Sequence, residues 1–313
     1  MSPEIKATDV KALRERTGAA MMDCKSALTE ADGDIDKAIE LLRVKGQASA
    51  AKRSGRSTSE GIVASYVHAT GRIGSLVEIQ CETDFVARND GFQAFVREAA
   101  KIGLMGNGTI ESLEAAHFPG SQTTVKDRLQ ELIATIGENM TLRRIAKLEV
   151  SKGVIASYVH NAVTEGLGKI GVLVALESEG DVTVLGTLGR QIAMHVAATN
   201  PVALDASGVD QATVERESAI LRDKNAGKPD HVMQKIIESG LKSYFKEVTL
   251  LEQPFVHDPS KTVTQVLKEA ESKAGKPVTL KAFVRYALGE GIEKEEAPDF
   301  AAEVAAQAGL KKA

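Results

Sequence analysis

Three features of the 313-residue sequence have residue types and spacing that could do chemistry. The run "GLGKIG", Gly166 to Gly171, satisfies the dinucleotide-binding spacing, in which the last glycines open a helix whose N-terminus faces a pyrophosphate. Here they open a continuous apolar stretch, Val172 to Leu176, that reads as a strand, so the glycines are assigned to a hairpin turn. No Gly-x-x-x-x-Gly-Lys-Ser/Thr phosphate loop occurs, and no nucleotide or other cofactor is expected. The second feature is the pentapeptide "ASYVH", which occurs twice and ends in His68 and His160. Two equivalent histidines could suggest a metal, but the six histidines are scattered, without a His-x-x-x-His helix or a Cys/His cluster, and no metal site is expected. The third, the pair Glu295-Glu296, reads as solvated charge, and no serine sits in a nucleophile elbow. The sequence therefore reads as a non-enzyme.

The repeat itself is more informative than any one motif. "GIVASYVH" from Gly61 pairs with "GVIASYVH" from Gly153, "GRIGSLVEI" with "GKIGVLVAL", and "FQAFVREAAKIG" with "LGTLGRQIAMHV", which sets Arg97 opposite Arg190. The copies stop agreeing after the second strand, where one reads "CETDFVARND" and the other "SESEGDVTV". A scaffold used twice does not require Thr83, Asp84, Phe85 and Val86 in one copy alone. Phe85, flanked by Asp84 and Arg88, is either a plug into its own core or an exposed anchor for a partner; composition alone favours the plug. In "GAAMMDCKSAL" the adjacent Met21 and Met22 cannot both face one small core, so one of them is expected to be available for contact.

The elements that must position these residues follow from periodicity. Thr8 is expected to cap a helix from Asp9 to about Arg16 that Gly18 stops; a second helix starts near Met22 or Asp23, and Asp34 caps a third. "GQASAAKRSGRSTSE" reads as a linker or a loosely held helix end. Two strands follow, through Ile62–Val67 and Ile73–Ile79, then a helix that Asp90 is expected to cap. Val125, Leu129, Leu132, Ile133 and Ile136 mark another amphipathic helix, followed by a strand from about Met140 to Val150. After the second copy, helices from about Gln211 to Asn225 and from His231 to Val248, the latter capped by Asp230, suggest an antiparallel hairpin. "VTLLEQPFV" and "LKAFVRYAL" read as strands, and Asp299 caps a short final helix.

Composition sets outer bounds. A hydrophobic fraction of 43%, a charged fraction of 26% and no apolar run near the ~20 residues of a membrane span describe a soluble protein. The start of the chain lacks the apolar stretch of a secretory signal, which points to the cytoplasm. Cys24 and Cys81 have neither disulfide-framework nor zinc spacing and are expected to be buried. A net charge of −4, with 4% aromatics and no tryptophan, argues against nucleic acid as a direct partner.

At "TGAAMMDCKSAL", "DIDKAIELLR", "ETDFVARN", "TIGENM", "IAMHVAA", "QPFV" with "PSKTV", and "GEGIEK", in this order along nearly the whole chain, the sequence resembles bacterial elongation factor Ts, the family of nucleotide-exchange factors for elongation factor Tu. The resemblance implies an α+β fold with a small N-terminal three-helix (UBA-like) module, a duplicated core of antiparallel sheets with helices, an inserted antiparallel coiled coil and a short C-terminal helical module. The corresponding segments are 1–55 for the N-terminal module and linker, 56–150 for the first repeat, 151–208 for the second, 209–248 for the coiled coil, 249–290 for the remainder of the second core subdomain, and 291–313 for the C-terminal module.

The resemblance also implies roles. Asp84 and Phe85 of the Thr83–Val86 motif would reach the GTPase near its switch region, the phenylalanine wedging between helices and perturbing the magnesium and phosphate site so that GDP leaves. Met21 and Met22, with Lys25 nearby, would contact a GTPase helix; Ile136, Gly137 and His160 would add contacts, as would the coiled coil and the segment at Val256 and His257. Here "QPFV" continues into His257 and Asp258, where the family pattern has methionine and glutamate. The implied partner is elongation factor Tu, GDP-bound or nucleotide-free, with a homodimer or a 2:2 complex left open.

Overall fold

The computed structural model describes residues 5–292. The final helix capped by Asp299, the Glu295-Glu296 pair and nearly all of segment 291–313 lie outside the described residues. Three helices open the chain: α1 (Ala7–Thr17), α2 (Met21–Glu30) and α3 (Ile35–Arg53). Val10, Leu13, Cys24, Ala27, Leu28 and Ala38 form their shared core. Gly18 ends α1 in the left-handed conformation, where a glycine carries no Cβ penalty. The Asp34 carboxylate caps α3 by accepting from the Asp36 and Lys37 amides. Thr8 is not the cap of α1: Lys6 holds that position, and the Thr8 hydroxyl donates to Asp9 instead. The basic, small-residue stretch is helical to Arg53 and becomes a turn only afterwards.

The other described residues form three sheets, the two larger of which are each covered by helices on one face. The first has strand order β3-β2-β1-β5, from β1 (Glu60–Val67), β2 (Ile73–Cys81), β3 (Met140–Glu149) and the two-residue β5 (Leu167–Gly168). The second has order β4-β6-β9, from β4 (Val154–His160), β6 (Ile170–Glu177) and β9 (Thr279–Ala287). All pairings in both sheets are antiparallel. Alternate residues face opposite ways. Ile62, Ala64, Val77 and Ile79 therefore pack beneath helices α4 (Asp84–Ala87), α5 (Asp90–Ile102), α6 (Ile110–Ala115) and α7 (Val125–Ile136). In the second sheet Val154, Val172, Val174 and Leu176 pack beneath α8 (Val182–Thr199) and α11 (Val263–Ala274). Between them in sequence lie α9 (Gln211–Lys224) and α10 (Asp230–Val248), then the short strands β7 (Pro254–Phe255) and β8 (Asp258–Thr262).

The remaining faces of the two sheets close on each other. Val63, Leu76, Val150, Ile155, Leu173 and Ala175 form a buried seam between them. Repeat-equivalent glycines make the close approach possible. A Cβ on Gly74 would lie 2.8 Å from Ile155, and one on Gly171 would lie 2.6 Å from Leu76 and 2.7 Å from Val63. The third glycine of the "GLGKIG" spacing thus serves sheet packing, and the run lies in β5 and β6, not at a helix N-terminus. The matched geometry extends to strain. Gly61 and Gly153, which open β1 and β4, have φ of 142° and 107°, and a Cβ on either would fall within 2.2 Å of the backbone oxygen of Ile79 or Leu176. Both third-strand pairings also shift register at one place, Glu78/Ile79 and Ala175/Leu176.

Several expectations are corrected. Asn89, not Asp90, caps α5, accepting from the Gly91 and Phe92 amides. Pro229 precedes α10, and no Asp230 side-chain cap forms, since Asp230 is already its first residue. "VTLLEQPFV" is mostly turn, with Pro254–Phe255 its one strand pair. Helix α11 was not expected, although Thr262 and Gln265 form a reciprocal capping box at its start. Helices α9 and α10 pack together, with Leu221 against Gly240, but neither contains a buried residue.

The seam makes a stability prediction. Gly171→Ala overpacks it and should lower unfolding stability by about 1–3 kcal/mol. Gly186→Ala, in α8 with open space around its Cβ, should be neutral or stabilising by about 0.5–1 kcal/mol. Urea midpoints of the two variants at constant slope decide it.

Candidate functional site

The segment that breaks the repeat, Glu82 to Arg88, is held by three layers of hydrogen bonding. Thr83 caps the one-turn helix α4, its hydroxyl accepting from the Val86 amide at 3.4 Å. Glu138, just beyond α7, grips the same residue with both carboxylate oxygens: the Thr83 hydroxyl donates to one at 2.7 Å and the Thr83 amide to the other at 3.1 Å. The exchange is reciprocal, because the Glu82 carboxylate accepts from the Asn139 amide at 2.5 Å and is paired with Arg56 at 3.4 Å. The Asn139 side-chain amide then donates to the Arg56 carbonyl at 2.8 Å, which ties the end of the N-terminal segment to the same joint. Gly137 allows this turn by ending α7 at φ 90°.

This clamp determines which way each side chain of α4 points. Val86 and Ala87 are buried in the first core, whereas Phe85 is 80% exposed. Phe85 therefore lies on the surface, and the plug reading is set aside. Asp84 and Arg88, one turn apart on the same exposed helix, pair at 2.9 Å. Beneath them the buried Cys81 thiol donates to the Thr83 carbonyl; burial, with the Glu138 and Glu60 carboxylates nearby, pushes its pKa up to about 12. A neutral thiol at that position is a spacer and not a nucleophile.

The other expected contact residues fall into two groups. Ile136 and Gly137 belong to the clamp's own turn, Ile136 half-buried against the first core. Met21 and Met22 are 45% and 73% exposed at the start of α2, so both are available, and Lys25 is exposed one turn on. The three-helix unit reaches the clamp through α3, whose Gly46 meets Ala134 of α7. Thr83 to Val86, Ile136, Gly137 and the methionine-bearing unit thus share one continuous framework. His160 and the Val256–His257 pair belong to the second sheet's side. His160 is exposed at the end of β4 and bonds the Tyr158 hydroxyl at 3.1 Å, whereas its counterpart His68 bonds Thr70 in the β1–β2 turn.

Val256 and His257 are positioned by a buried histidine that the sequence reading had not singled out. The Nδ1 of His195, on α8, accepts from the Val256 amide at 3.2 Å, so the proton must sit on Nε2, which bonds the Gln253 carbonyl oxygen at 2.9 Å. The Gln253 amide in turn donates to the Glu247 carbonyl, fixing its orientation. The "IAMHVAA" and "QPFV" segments meet through this chain, with His257 exposed against the Phe255 ring at 5.1 Å. Signals were present: a histidine on the apolar face of α8 and a glutamine 58 residues later.

Burial holds the His195 imidazole below its usual range, and His257 adds to the effect, while the Gln253 bond opposes it. The folded pKa therefore lies below the unfolded one. On acidification the unfolded state takes the proton first, so this stabilisation is present above the unfolded pKa of ~6.5 and is lost as pH falls through the folded value. Wild-type protein should lose more stability than His195→Gln between about pH 7.5 and about pH 5, read from urea midpoints. Equal losses would mean that His195 is not the titrating group.

Comparison with known proteins places the chain in a family. The family model described as Elongation factor TS matches residues 82–290, a span that begins at the clamp and ends with β9 and its following turn. A protein named Elongation factor Ts from Methylobacterium sp. (strain 4-46) is 76% identical over 302 residues, covering 96% of this chain and 98% of its own length. One of the same name from Methylobacterium radiotolerans is 73% identical over 305 residues, covering 97% and 98%. Another from Xanthobacter autotrophicus is 66% identical over 300 residues, covering 96% and 97%. With a family match over most of the chain and near full-length identity at this level, the chain belongs to the elongation factor Ts family.

Proposed function

We propose that the chain is a non-catalytic guanine-nucleotide exchange factor of translation elongation, which binds elongation factor Tu·GDP and promotes GDP release so that GTP can reload. The observation that carries this reading is Phe85, a large apolar ring 80% exposed on a helix whose base is locked. On this reading Asp84 and Phe85 enter the GTPase beside its switch and magnesium region. Met21, Met22 and Lys25 hold a neighbouring helix, Ile136 and Gly137 extend the contact, and His160, Val256 and His257 engage a second part of the partner.

The energetics suit several contacts acting together. A factor that binds the empty GTPase better than the loaded one must weaken nucleotide binding by the same ratio. A thousandfold faster release needs about 4 kcal/mol of differential stabilisation. Burying one phenylalanine supplies ~1.5–3 kcal/mol, a large share but not all. The clamp adds by omission: a segment already ordered loses little conformational entropy on binding.

The test is release of labelled GDP from elongation factor Tu with and without the protein. Wild-type protein should accelerate release, and Phe85→Ala should cut the acceleration about tenfold or more. The same variant should keep its unfolding stability within about 0.5 kcal/mol, because the ring is on the surface. Glu138→Ala should also slow exchange although the Phe85 side chain is retained, since it removes the clamp that presents the ring and not the ring itself. Identical release with and without the protein overturns the proposal; capture of elongation factor Tu with no change in GDP release would make the chain an adaptor.

A further inference from the structure

A second set of residues, apart from the clamp, converges between the two copies. The cleft between β1 and β4 has a volume of about 680 Å³ and is lined by Arg97 from α5 and Arg190 from α8, with Lys101, Ser65 and Ser157. Arg97 and Arg190 are repeat equivalents, and so are Ser65 and Ser157. Over the twelve paired positions of the two helices, only Arg97/Arg190 and Ala100/Ala193 are the same residue. Helix packing explains a matched alanine; it does not require a matched arginine on the cleft side.

Neither guanidinium is neutralised by a carboxylate among the described residues. Arg97 donates to the Thr164 hydroxyl at 2.9 Å, and Arg190 lies over the Tyr158 ring at 5.8 Å. Both are thereby oriented without losing charge. Lys101 is paired with Glu98 at 3.2 Å, and Glu165 is the one acidic residue in the lining. Walls of low dielectric strengthen the field of such charges over its value in open water. The arginine fork matches tetrahedral oxyanions better than it matches any neutral ligand.

We propose that this cleft is an oxyanion site that takes a small polyphosphate-bearing molecule, with one phosphate on Arg97 and another on Arg190. Such a ligand bridges the two copies of the repeat. A single phosphate can engage only one arginine and binds more weakly.

The test is calorimetric titration of the full chain with tripolyphosphate and, separately, inorganic phosphate, in about 0.15 M KCl to screen non-specific attraction. Saturable binding of tripolyphosphate is expected, at least about tenfold tighter than that of inorganic phosphate. Arg97→Gln and Arg190→Gln should each weaken it about tenfold or more, the double variant should abolish it, and Lys11→Gln should leave it unchanged. Amide NMR shifts in the wild-type protein should cluster at residues 64–67, 97–101, 157–159 and 190, a readout independent of how the variants fold. The proposal is overturned by no saturable binding up to about 5 mM, by undiminished binding in the double variant, by shifts elsewhere, or by tighter binding of an oligoglutamate than of tripolyphosphate.

Discussion

The apposition of the two sheets is the constraint on which the rest of the structure depends. Each sheet carries helices on one face only, so its other face would be a broad apolar surface in water unless something covered it. The covering is the other sheet. Val63 and Leu76 from one side meet Ile155, Leu173 and Ala175 from the other, and Gly74 and Gly171 bring the strands close enough for these side chains to pack together. Neither copy of the repeat can bury its strands alone. The small strand β5, which leaves the second copy to pair with β1 of the first, fastens the edges of the same joint.

A buried ionic network reinforces that joint at one end. Glu78 is fully buried on β2 and accepts from Arg143 and Arg144 on β3, from the Gln80 side chain and from the Gly289 amide. A carboxylate withdrawn from water is tolerable only with this many donors. Arg144 also donates to the Ala287 carbonyl and stacks over Tyr286 at 4.1 Å, so the last strand of the second copy is held against the first. Burial raises the Tyr286 pKa, which keeps the phenol neutral beside this cluster. With the scaffold fixed from both sides, sequence change is free to act in the connections. The first copy spends its connection on α4 and Phe85; the second passes almost directly from β6 into α8 through the Asp181 cap.

The legible parts of this fold were the ones governed by local periodicity. The alternation in β1 and β2 and the stripes of α5 and α7 follow from side chains that must face one core, and β6 and α8 could be matched to the first copy residue by residue through the repeat. What escaped was non-local or very short. That β9 completes the second sheet beside β6 cannot be read from β9 itself, since α9, α10 and α11 intervene. Caps slipped by one residue at Asn89 and Pro229 because asparagine and aspartate compete for the same role and proline sets the same entry angle. Helix α11 carried a readable signal in Thr262 and Gln265. The exposure of Phe85 was not readable at all: hydrophobicity predicts burial, and only the clamp formed by Glu138, 53 residues beyond it, turns the ring outward.

That clamp explains why an exposed phenylalanine can persist without collapsing inward. In a single helical turn the residues on either side of Phe85 cannot all face the core, and Val86 and Ala87 already occupy the inward positions. Turning Phe85 inward would expel both and break the paired hydrogen bonds from Thr83 to Glu138, leaving a part-buried carboxylate without its donors. The ring's exposure therefore costs less than its burial would. An exposed ring of this kind is stable in the free protein and needs no partner to form it, and any apolar site that received Phe85 would gain its transfer free energy with little ordering of the loop that presents it.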